Sequence, residues 1–144
     1  MTLTDLESRA LEMLLHGDSS ILAPLRAQMN TCVVTGRTFT GAGFFTDFAV
    51  ASAAVCRAAA GSFRVGDVYA QISGLDHDAG FLLLVQRGVL HSLECFTHGE
   101  PWPSEPRLIR TYYVKPDGPA GASLVESEVR DLTWALGGGI NLKP

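Results

Sequence analysis

Hydrophobic and polar positions alternate with two different periods along the chain, and the change of period divides it. Leu3, Leu6, Ala10, Met13 and Leu14 recur every three to four residues, which places them on one face of a helix. Thr4-Asp5-Leu6-Glu7 precedes that run as a capping box, with hydroxyl and carboxylate each able to satisfy a backbone amide. Gly17 is the expected stop. A second apolar set, Leu22, Leu25 and Met29, predicts another helix. Pro24 is tolerable only in a first turn, so that helix is expected to begin near residues 21–23.

From residue 31 the period shortens to that of strands. Thr31 to Thr35 is short and β-branched, and Gly41-Ala42-Gly43 turns the chain into Phe44 to Phe48. There Phe44, Thr46 and Phe48 share one face, while Phe45 and Asp47 take the other. The three phenylalanines are expected in the core. Ala49 to Ala60 is alanine-rich and compatible with helix or loop. Asp67 to Ser73 alternates cleanly. Phe81-Leu82-Leu83-Leu84-Val85 is a continuous apolar run, Arg87-Gly88 is a tight-turn signal, and Val89 to Thr97 returns. Residues 81–97 therefore predict a central antiparallel hairpin. Three prolines between Pro101 and Pro106 bar a central strand there, and Leu108 to Val114 resumes as a strand. Leu124 to Leu136 offers an apolar set for one further helix.

These elements predict an α+β fold, with N-terminal helices packed on a mostly antiparallel sheet. Residues 1–116 are expected to form one domain. Residues 117–144 are expected as a C-terminal extension with one helix and a flexible end.

Composition narrows the classes. The chain has 144 residues, 47% of them hydrophobic and 18% charged, which excludes a disordered or coiled-coil chain. The net charge of −4 argues against an electrostatic grip on nucleic acid. The acidity is concentrated: residues 41–105 hold seven acids and three bases, against four and three before them and four and five after. Cys32, Cys56 and Cys95 form no close pair, the pattern of buried thiols in a reducing compartment. No secretion signal or membrane-length apolar run is visible, so the expected location is the cytoplasm.

Candidate chemistry is sparse. Paired helices raise a DNA-binding reading, but only Arg26, Gln28 and Asn30 would face a groove. Gly41 and Gly43 lack the third glycine of a dinucleotide fingerprint. No Gly-x-Ser-x-Gly elbow occurs. His16 sits in the last turn of the first helix, where a cation suits the dipole. His77, between Asp76 and Asp78, and His91, on an apparently inward strand face, are the candidates for a small enzyme using nearby carboxylates. Asp47, Asp67, Glu94 and Glu100 are available for a carboxylate pair, but their spacing selects none. Cys95-x-x-His98 is half a metal site, completed only if His77 or Cys32 approaches. No metal, cofactor or catalytic residue is assigned.

The stretches Gly41 to Phe48 and GFLLLVQRGVLHSLECFTHGEPWP, residues 80–103, carry a resemblance. They resemble small bacterial proteins in which a greasy strand, a glycine turn and a Leu-Glu-x-aromatic strand lead to a Pro-Trp-Pro loop. The layout is similar to that of immunity proteins, which neutralise toxins of bacterial competition systems. It covers roughly residues 3–114 and transfers no catalytic residue. It implies a non-catalytic cytoplasmic binder with a cognate toxin as partner, and neither nucleic acid nor membrane as a target. A small ligand-binding module is the remaining alternative. The expected partner-binding residues are Asp76, His77, Asp78, Glu94, Glu100, Trp102 and Glu105, since acidic loops around an aromatic anchor suit a basic toxin cleft.

Overall fold

The computed structural model describes residues 1–51, 56–118 and 123–137. Its elements run α1 (Asp5–Leu14), α2 (Leu22–Met29), β1 (Val33–Phe39), β2 (Gly43–Ala49), β3 (Phe63–Ser73), β4 (Ala79–Gln86), β5 (Val89–Phe96), β6 (Arg107–Pro116), β7 (Leu124–Ser127) and α3 (Leu132–Gly137). The seven strands form one sheet in the order β1-β2-β5-β4-β3-β6-β7, with every neighbouring pair antiparallel. The fold is mixed α+β.

Local chemistry accounts for the elements. The capping box is formed: Glu7 N donates to Thr4 Oγ1 at 3.2 Å, and Thr4 N donates to Glu7 Oε1 at 2.8 Å. Pro24 falls in the first turn of α2, where its missing N–H removes no helical bond. The β4–β5 turn places Arg87 at φ 52° and Gly88 at φ 76°, the backbone that a two-residue hairpin between twisted strands requires. β4 occupies the middle of the sheet, and Phe81, Leu83 and Val85 on it are fully buried.

One buried cluster joins helical and strand residues, with Leu11, Leu14, Leu22 and Leu25 beside Val65, Val68, Phe81, Leu83, Leu93 and Cys95. Polar contacts tie the same elements. Tyr113 Oη donates to the Met13 carbonyl at 2.7 Å. The buried Gln28 side chain donates to the Gly88 and Cys56 carbonyls and accepts from Leu90 N, pinning α2 to the hairpin. Arg37, Thr46 and Tyr113 lie on one face of the sheet, where they bond to Glu7 and to the Met13 carbonyl. Phe45, Arg64, Tyr69, Leu82, Leu84, Glu94, Phe96 and Tyr112 alternate with the core positions and occupy the opposite face.

Several expectations change. Residues 124–127 pair with β6 as a strand, so only Leu132–Gly137 is helical in the segment expected as one helix. The segment after Pro116 also sends Ala135 into the core and Arg130 onto Asp67. His91 is exposed. Leu84 pairs with Ser92 and Val85 with Leu90, so His91 is the extra residue of a bulge, and strict alternation through it misassigns its face. Phe45 is partly exposed, and Cys56 is exposed rather than buried. Of the Ala49–Ala60 segment, residues 52–55 lie outside the described residues. No helix among the described residues is long and apolar enough to cross a membrane.

Candidate interaction surface

The β1–β2 turn, the β3–β4 loop and the β5–β6 connection meet at one end of the sheet, because β2 begins, β4 begins and β5 ends on the row Gly43–Phe96–Gly80. Thr97 N donates to the Ala42 carbonyl at 2.9 Å and Trp102 N to the Gly41 carbonyl at 2.7 Å, which ties two of these loops together. Pro103 packs against Gly74, linking the third.

Most of the expected acidic residues gather here. The Glu100 carboxylate accepts from the Asp76 amide at 2.6 Å and the His77 amide at 2.8 Å, and His77 Nδ1 lies 3.4 Å from it. These backbone donors, foremost Asp76, hold the Glu100 carboxyl below the usual carboxylate range. Asp78 accepts a hydrogen bond from the Tyr112 hydroxyl. Burial is the larger reason that the Tyr112 phenol titrates above its ordinary value, with the Asp78 contact adding to it. Asp76 and Glu105 stay exposed with no recorded side-chain partner among the described residues. Trp102 is half-buried and meets Phe44 edge-to-face, with ring centroids 5.2 Å apart. With Leu6, Arg37, Phe39 and Pro106 it lines a hollow of about 170 Å³ beside the start of α1. Glu94 is set apart on the sheet face that bears Phe45, Leu82 and Leu84.

The other candidates have local duties or no partners. Arg26 donates to the Leu15 and Gly17 carbonyls, and Gln28 is buried, so neither is free for a groove. Cys95 faces the core while His98 stacks on Tyr69 at 5.9 Å on the other side, so the two do not converge. Burial first, then the charges of Glu94 and Glu7, push the Cys95 thiol well up. Among the described residues no three His, Cys, Asp or Glu side chains gather as metal ligands would. Asp67 is committed to Arg130 and Glu100 to the loop amides, so neither serves a carboxylate pair. His77 is largely exposed.

Sequence reasoning missed two features. One is a row of rings on the sheet face that also bears Glu94: Tyr69 lies 6.2 Å from Phe96 and 6.3 Å from Tyr112, and Arg110 stacks 4.5 Å over Tyr112. Only the strand register brings these together. The other is the buried pair Glu7–Arg37, whose carboxylate also accepts from Thr46. Burial alone would raise the Glu7 carboxyl, but the bonds from Arg37, Thr46 and the Thr4 amide outweigh it and hold the pKa below the usual range. No family model, curated protein or solved structure matches this chain.

Proposed function

We propose that this chain is a non-catalytic binding protein that neutralises a cognate bacterial toxin by direct contact, through the acidic loop end of its sheet. The observation that supports this reading best is the Glu100 clasp. A single carboxylate fixes two loops and leaves Asp76 exposed beside them. Loops held in advance lose little conformational freedom on binding. The helices, as backing for the sheet, would keep that end rigid. Exposed carboxylates steer a basic partner and speed encounter. An enzyme using His77 or His91 has less support: His77 is largely exposed beside Glu100, and His91 projects from a bulge.

Co-expression with the product of the adjacent gene tests the reading. Cells producing that protein should survive only when this chain is present, and the two should co-purify in a fixed ratio. Growth arrest unaffected by this chain, with no complex formed, would contradict it.

A further inference from the structure

Among the described residues, six polar or charged ones are buried: Glu7, Gln28, Thr46, Asp67, Ser92 and Thr97. Five have side-chain hydrogen bonds within the protein. Ser92 is the exception: its hydroxyl has no protein partner among the described residues, although only 7% of the residue is exposed. A buried hydroxyl left without a partner points to a missing one.

Ser92 lines a hollow of about 200 Å³ with Phe45, Arg64, Leu82, Leu84 and Glu94. The register fixes its layout. Arg64 stands opposite Leu84 and Leu84 opposite Ser92, so these three form one row across β3, β4 and β5. Leu82, Glu94 and Phe45 form the next row across β4, β5 and β2. Arg64 and Glu94 are therefore two strands apart, about 10 Å across the sheet before any offset along it. They face the same hollow without forming an ion pair with each other or with any described residue. Burial raises the Glu94 carboxyl, with Arg64 pulling the other way, as expected of an acid poorly solvated and incompletely compensated. Asp47, opposite Ser92 on β2, does not line the hollow, and its Oδ2 lies toward Gly36.

We propose that this hollow binds a small aliphatic zwitterion of the α-amino acid class. Arg64 and the Ser92 hydroxyl, in one row, donate to the carboxylate, which suits the forked guanidinium. Glu94, in the adjacent row, accepts from the ammonium group. Leu82, Leu84 and Phe45 cover the side chain. A carboxylate and an ammonium on one carbon satisfy both charges at once, which neither a plain acid nor a plain amine does. The proposal is independent of the toxin reading, since it involves a different face and no macromolecule.

The test titrates L-leucine into isotope-labelled protein and follows amide shifts. Two analogues serve as controls: 4-methylpentanoate, lacking the ammonium, and 3-methylbutylamine, lacking the carboxylate. Leucine should shift the amides of Leu82, Leu84, Ser92 and Glu94, with each analogue binding at least about tenfold more weakly. Arg64→Gln and Glu94→Gln, which the same spectra show to be folded, should each weaken leucine by a similar factor. No shift at those amides with leucine in the millimolar range overturns the proposal. So does either analogue matching leucine, or leucine binding undiminished in both variants.

Discussion

Two buried carboxylates, each with one arginine, join parts of the chain that are distant in sequence. Glu7 takes Arg37 through two hydrogen bonds, at 2.8 and 2.6 Å. Asp67 takes Arg130 at 2.8 and 2.9 Å, and Arg130 also donates to the Met13 and His16 carbonyls at the end of α1. Removing one partner strands the other charge, so Asp67→Ala should cost about 3–5 kcal/mol. Urea unfolding should show this as a lowered midpoint with an unchanged slope; a midpoint like that of the wild type would contradict the role given to the pair. Glu7 predicts a pH effect. Its folded pKa lies below the unfolded value of about 4.3, so its contribution is complete above that value. It is lost as pH falls through the folded pKa. Thermal melts from pH 7 downward should show the wild type weakening below about pH 4, and Glu7→Gln, less stable throughout, should weaken less steeply there. Parallel profiles would contradict this. The capping role of Glu7 was legible in Thr4-Asp5-Leu6-Glu7, because it depends on neighbours in sequence. Its grip on Arg37 and Thr46 was not, because that depends on where the sheet lies.

At the scale of elements, the β4–β5 hairpin and its neighbours depend on close backbone approach. A Cβ on Gly43 would lie 1.9 Å from the Cys95 carbonyl oxygen, at φ +152°. Gly43→Val should therefore separate β2 from β5 and cost about 2 kcal/mol or more, measured by thermal unfolding. Leu83→Asp buries an unpaired charge at the centre of β4 and should abolish folding; a soluble variant with the wild-type melting temperature would contradict the central hairpin. Glu100→Ala should leave the melting temperature nearly unchanged while the Asp76 and His77 amides exchange faster with solvent. Unchanged exchange would mean that the clasp does not hold the loop. The strands were legible wherever an apolar run met a turn residue, as at Phe81 to Phe96. The bulge at His91 was not, because nothing local marks an extra residue, and one such residue reverses every later side of the strand. The helical pattern from Leu124 onward gave way to β7 for a different reason: pairing with β6 outweighs a short apolar set whose leading residues, Leu124 and Val125, stay exposed. Of the candidate surface, the acidic loops were legible in composition, but their joining by Glu100 and the row of Tyr69, Phe96 and Tyr112 required the register.

Across the whole molecule, charge is unevenly divided between the ends of the sheet. Asp76, Asp78, Glu100 and Glu105, with Arg107, lie at the end where the β1–β2, β3–β4 and β5–β6 connections meet, while Arg57, Arg87 and Lys115, with Asp117, lie toward the other. A net charge of −4 distributed in this way gives the molecule a direction in a partner's field. The most direct test of the toxin-binding reading is the association rate with the adjacent-gene product, measured against ionic strength. Wild type is compared with the double variant Asp76→Asn, Glu105→Gln, which removes two exposed charges and disturbs no hydrogen bond recorded for those side chains. The expected result is slower association with a shallower salt dependence and an unchanged melting temperature. An association rate and salt dependence equal to those of the wild type would contradict the account, leaving the acidic loops as solvated surface.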